Sequence, residues 1–141
     1  MRNCVHIFLF LFGSSGCFSC SQGPVDGAAL SAKDRDFIER LGLCDAREEI
    51  ILFDTQFDLR SSGNLITNKR LAAYWIEAEE EFSNIDWAFY EDIDSLKVKD
   101  LSSSLSYASY LEVHRRGQAS FRLYVDGDKE EEEVFFEKAL L

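Results

Sequence analysis

The chain has 141 residues, with 15 Lys and Arg against 26 Asp and Glu, and carries a formal charge of −11. That length suits one domain, and a composition that is 46% hydrophobic and 13% aromatic is too apolar for a disordered chain. The acidity argues against nucleic acid or an anionic membrane surface as partner, since clustered Lys and Arg hold both.

The N-terminus reads Met1, Arg2, Asn3, then an apolar run from Cys4 to Phe12, then Gly13, Ser14, Ser15, Gly16 and Cys17. A positive charge, a short apolar stretch and small residues form the three-part pattern of a secretory signal; a buried core strand is the alternative. The run is well short of the ~20 residues a membrane-spanning helix needs. Ser14-Ser15-Gly16-Cys17 resembles the lipobox of bacterial lipoproteins, which favours Leu where Ser14 stands. The resemblance implies removal of residues 1–16, lipid attachment at Cys17 and anchoring in the cell envelope. Acyl chains there would anchor firmly, at ~0.8 kcal/mol per buried methylene. Cys20, after Ser19, is a second acylation candidate, and plain secretion or periplasmic release after Gly16 is a third outcome. With Cys17 acylated, Cys20 and Cys44 remain and can pair in an oxidising compartment.

Residues 17–30 are rich in Ser, Gly and Gln, contain the single Pro24, and read as a tether. Residues 31–48 form an N-terminal helical segment: Ser31 with Asp34 has the form of a helix N-cap, Phe37, Ile38 and Leu41 keep helical spacing, and Gly42 stops the helix. From Glu49 the period becomes two. Strands are predicted at 49–59, 65–76, 82–90, 93–99, 106–114 and 119–125, with a turn cluster at Arg60–Asn64. The last two strands form a hairpin in which Leu111 and Val113 share a face, as do Phe121, Leu123 and Val125. Asp128 and Glu131 then form a capping-box pair opening a terminal helix, with Phe135, Phe136, Ala139 and Leu140 on its apolar side.

Antiparallel strands followed by one amphipathic helix resemble a pleckstrin-homology-like split barrel. Leu65-Ile66-Thr67-Asn68-Lys69-Arg70-Leu71 resembles the LTNxRL strand of bacterial PH-like and GRAM-type domains, and Phe89-Tyr90-Glu91-Asp92-Ile93 resembles the segment entering their fourth strand. The resemblance spans residues 49–141. It implies a mainly β fold, a barrel of about six or seven antiparallel strands closed by a C-terminal helix behind a short N-terminal one. It also implies a binding or scaffolding module without catalysis. Phosphoinositide-binding PH domains resemble one another in a Lys/Arg cluster around the first strand pair. Here Asp54–Asn64 offers only Arg60 against Asp54 and Asp58, so phosphoinositide binding is not expected.

Residues bearing chemistry are sparse. After the signal, His114 is the one remaining histidine, sharing a strand face with Tyr110 and Glu112 and lacking a Ser or Cys elbow. No Cys/His spacing suits zinc, and Asp126-Gly127-Asp128 lacks Gly at the sixth position of a calcium loop, so no metal or cofactor is expected. Trp75, Trp87 and Tyr90 are candidates for a partner-binding patch, against the alternative that they are core or barrel-end residues. The leading expectation is a non-enzymatic, envelope-anchored module for a protein or peptide. A small-ligand or lipid-handling barrel mouth is the alternative, and it predicts an apolar cavity of a few hundred Å³. Loss of residues 1–16 removes Arg2 and no acid, leaving 14 bases against 26 acids, or −12.

Overall fold

The computed structural model describes residues 23–101, 103 and 108–141; the expected signal peptide, Cys17, Cys20 and the first part of the tether lie outside them. Five antiparallel strands form the first sheet in chain order: β1 (Val25–Asp26), β2 (Ile50–Asp54), β3 (Ser62–Thr67), β4 (Arg70–Trp75) and β5 (Asn84–Phe89). A second antiparallel sheet contains β6 (Ile93–Lys99), β7 (Ser109–Arg115) and β8 (Phe121–Val125). Helix α1 (Ala32–Arg40) precedes β2, and α2 (Lys129–Leu140) follows β8.

The strand count exceeds the expected six or seven for two reasons. The predicted strand 65–76 is two strands, β3 and β4, joined through Thr67–Arg70 after the last pair, Ile66 with Leu71. The Thr67 hydroxyl closes this turn by accepting the amide N–H groups of Lys69 at 3.0 Å and Arg70 at 2.9 Å. The second reason is β1. Val25 pairs with Phe53 and Asp26 with Leu52, so the latter part of the predicted tether joins the sheet. Gly27 sits so close to β2 that a Cβ there would lie 1.9 Å from the Ile50 carbonyl oxygen.

The turn expected at Arg60–Asn64 lies earlier in the chain, because Ser62, Gly63 and Asn64 pair with Trp75, Tyr74 and Ala73. Gly63 is required by packing: a Cβ would meet the Tyr74 and Phe53 rings at 2.5 and 2.6 Å.

Both faces of the first sheet are covered. On the inner face Ile66, Leu71 and Ala88 pack with Leu111, Val113, Phe121, Leu123 and Val125 from the second sheet and Phe135 from α2. On the outer face Phe53, Leu65, Ala72 and Tyr74 pack with Ile38, Leu43 and Cys44. Residues 31–48 therefore share a core with the barrel. Helix α1 ends in a Schellman motif: Gly42, at φ 76°, donates to the Glu39 carbonyl and Leu43 to that of Ile38. This reversal sends Leu43 into the outer core, where it is fully buried. At the other end, the Asp128 and Glu131 side chains each accept the other's amide N–H, at 3.0 and 2.9 Å, opening α2 as expected.

A buried polar network locks α1 and its following loop to the sheet. Glu48 is 1% exposed and Arg70 4%. Arg70 grips Glu48 through Nη2 at 2.6 Å and Nε at 3.0 Å, while the Thr67 hydroxyl and the Asp45 amide also donate to the carboxylate. Burial opposes the charge, but these donors hold the Glu48 carboxyl below its ordinary value. The Arg70 guanidinium lies over the Phe89 ring at 4.7 Å and the Trp87 ring at 5.2 Å. Removing one partner leaves the other charge buried and unpaired, so Glu48→Ala should cost about 3–5 kcal/mol in urea unfolding, and pairing it with Arg70→Met should recover most of that. A single-variant loss below about 1 kcal/mol, the range of exposed ion pairs, would contradict this account.

Candidate functional site

Strand β8 is the edge of the second sheet nearest the inner face of the first. It is joined there by one side chain acting as a strand: Asn64 Oδ1 accepts the Tyr124 amide N–H at 3.2 Å, and Asn64 Nδ2 donates to the Tyr124 carbonyl. Asp54, beside Asn64 in register, accepts the Asp126 amide N–H at 3.2 Å. Beyond this clasp the two sheets diverge and leave an open cleft of about 480 Å³. One wall carries Asn64, Ala73, Trp75, Asn84 and Asp86 from the first sheet; the other carries Glu112, Ser120, Phe121, Arg122 and Tyr124.

The three aromatic candidates do not form one patch. Trp75 shares the inner face with Ala73 and lines the cleft, half-buried, with its Nε1 donating to Glu77 and Phe57 packed edge-on at 5.5 Å. Trp87 pairs with Ala72 and lies on the opposite face, against Arg70. Tyr90 is on neither wall; its hydroxyl donates to the Thr67 carbonyl at 2.6 Å, and burial, with the nearby Glu48 charge, pushes that hydroxyl up to about 12. Trp87 and Tyr90 thus brace the turn and ion pair, although each remains 39% exposed.

The acids that line the cleft, Asp86 and Glu112, are each engaged by an arginine. Arg115 pairs with Asp86 at 2.9 Å and Arg122 with Glu112 at 3.3 Å. Arg122 also lies over the Tyr110 ring at 4.6 Å. His114 bridges Glu112 and Ser120 at 3.1 Å each, a Ser–His–Glu chain that sequence spacing did not reveal. It lies across the β7–β8 hairpin, and Glu112 is shared with Arg122. Asn64 was missed as well, because a polar residue beside Gly63 reads as a turn. Cys44 is a buried thiol that burial pushes up to about 11. No helix among the described residues is long and apolar enough to cross a membrane.

With this geometry the chain resembles a known architecture. A DUF1696 family protein with a pleckstrin-homology domain from Shewanella loihica, solved by crystallography, superposes with a TM-score of 0.52 at 16% identity, covering 82% of this chain and 91% of that one. The fold is therefore that of a PH-like domain: mainly β, two antiparallel sheets and a C-terminal helix. No family model matches the sequence, and no curated protein does.

The clasp holds a titrating group. Burial pushes the Asp54 carboxyl from 3.8 up to about 7, against the Asp126 amide donor and with added repulsion from Asp126 and Glu131. Its Oδ1 is buried without a hydrogen-bond partner among the described residues. The folded chain binds a proton that the unfolded chain has lost, so the stability contributed by neutral Asp54 is full below about pH 4 and disappears as pH rises through about 7. Asp54→Asn should remove a decline of roughly 2–4 kcal/mol between pH 4 and 8, read from urea unfolding at several pH values. The same decline in both proteins would clear Asp54 of the effect.

Proposed function

We propose that this chain is a non-enzymatic binding module that holds a protein or peptide in the cleft beneath Trp75, carried to the cell envelope by a signal peptide and anchored through lipid on Cys17. The observation that carries this reading is an incompletely paired strand edge, β8, opening onto a cleft with an aromatic wall. Strand edges recruit extended segments through main-chain hydrogen bonds, and Trp is enriched where such contacts are strongest.

The basic loop that phosphoinositides require has no counterpart at β2–β3. Arg60, the one cation there, is engaged by Asp34 at 3.0 Å and lies over the Phe37 ring at 4.6 Å. A headgroup would have to displace both. The small-ligand alternative draws on the same cleft, but Asn84, Asp86, Glu112 and Arg122 in its walls suit a polar backbone better than an apolar guest.

A photoreactive residue in place of Gln56, on the cleft wall, should give a discrete protein adduct in intact envelopes. Adducts with small molecules alone would favour the alternative, and protein adducts from Trp87 but not from Gln56 would move the interface to the other face. Cys17→Ala should abolish fatty-acid labelling and release the protein from membranes. Labelling that persists would transfer the anchor to Cys20 or refute lipidation at this pair.

A further inference from the structure

Building on the binding-module reading, we infer that the segment held in the cleft is extended and positively charged, with apolar side chains alternating, and that it pairs with the free edge of β8. The Asn64 clasp fixes the orientation of that edge. Because Tyr124 exchanges both backbone hydrogen bonds with Asn64, its N–H and C=O point away from β7 and toward the first sheet. In an antiparallel ladder this orientation recurs at every second residue. Arg122 therefore turns its N–H and C=O into the cleft, and among the described residues no group of the first sheet reaches them as Asn64 reaches Tyr124. An edge in this state is a template for one more strand.

The rim sets the sign of the partner. The β4–β5 loop leaves the cleft wall at Trp75 and returns to it at Asn84. Between them stand Glu77, Glu79, Glu80 and Glu81, all exposed, with no Lys or Arg in the loop. None of the four is in an ion pair among the described residues, whereas Arg122, the cation that lines the cleft, is already paired with Glu112. A strand crossing this rim meets unbalanced negative charge, which attracts cations and repels anionic lipid alike. The apolar contacts are at hand: Phe57 is 73% exposed and packs against Trp75, and Phe82 of the rim loop is 59% exposed.

The test titrates the full chain into a fluorescein-labelled peptide alternating lysine with valine. Binding should be saturable and should weaken roughly tenfold between about 0.05 and 0.5 M salt, and similarly when Glu79→Gln, Glu80→Gln and Glu81→Gln are combined. Arg122→Pro, tolerated where an edge N–H faces solvent, should bind roughly five- to tenfold more weakly than Arg122→Ala, which loses the same side chain but keeps the backbone donor. Methylating alternate amide nitrogens of the peptide should have the same effect without altering the protein. A glutamate–valine peptide that binds equally well, or lysine-peptide binding indifferent to both the Gln changes and the methylation, would overturn this inference and leave the module reading standing. So would a dimer of the chain that excludes the peptide, since a second copy would then fill the cleft. Failure of both peptides alongside binding to phosphatidylcholine vesicles would overturn the module reading too.

Discussion

The bidentate grip of Arg70 on Glu48, closed by Thr67, is the constraint from which the arrangement of the first sheet follows. Hydrophobic burial is non-directional, so the apolar side of α1 has no strong preference for one place on the sheet. The ion pair supplies that preference: Glu48 ends the loop after α1, Thr67 ends β3 and Arg70 starts β4. Arg35 of α1 donates to the Glu48 carbonyl, and Arg70 reaches the Gly42 carbonyl at 3.4 Å, so the helix, its C-terminal reversal and the hairpin are held together. A buried pair of this kind adds little net stability over an apolar replacement, and its value lies in fixing one register among several that would bury similar area.

Covering the outer face has a consequence on the inner one. With α1 and residues 41–48 on one side, the first sheet receives the second sheet and α2 on the other. The two sheets meet at β3 and β8 through side chains, not a continuous ladder. Asn64 supplies one residue's worth of pairing and Asp54 one acceptor for the backbone beyond β8. A barrel closed by such point contacts remains open beside them, and the cleft is the space left where the clasp stops. The same economy places Asp54 where its charge is poorly solvated, and burial raises its carboxyl.

Much of this was legible in the chain. The alternation of Leu111, Val113, Phe121, Leu123 and Val125 and the Asp128–Glu131 box are local patterns, and local geometry realises them. The division of 65–76 was hidden because Leu65, Ile66, Leu71, Tyr74 and Trp75 keep an apolar run on both sides of the turn. The favoured two-residue hairpin turns need positive φ and advertise themselves through Gly. Among the described residues no non-Gly residue has positive φ, and the Thr67 side chain closes the turn instead, leaving no such signature. Trp75 could be singled out by type, but its separation from Trp87 follows from register: Trp75 pairs with Asn84 while Trp87 pairs with Ala72, an odd offset that places them on opposite faces. Asn64 and Glu48 act over sequence separations that no periodicity reports.

The net charge of −11 divides into acids that shape the fold and acids that face outward. Glu48 neutralises Arg70, Glu131 caps α2, and Glu132 accepts the Ser109 hydroxyl at 2.7 Å inside the protein. Of these, Glu48 is neutralised by its cation, while Glu131 and Glu132 are fixed by hydrogen bonds to neutral donors. Of the β4–β5 loop glutamates, Glu77 accepts the Trp75 indole N–H, while Glu79, Glu80 and Glu81 stand exposed where the cleft opens. A surface charge far from its counter-charges is effective over roughly a Debye length, about 8 Å at physiological salt, so what matters for recognition is the local excess at the cleft mouth. In the binding proposed above, that excess disfavours an anionic partner. Under the proposed function, the engaged Arg60 at β2–β3 and the acidic rim at the cleft mouth are the two features that favour a cationic chain over an anionic headgroup.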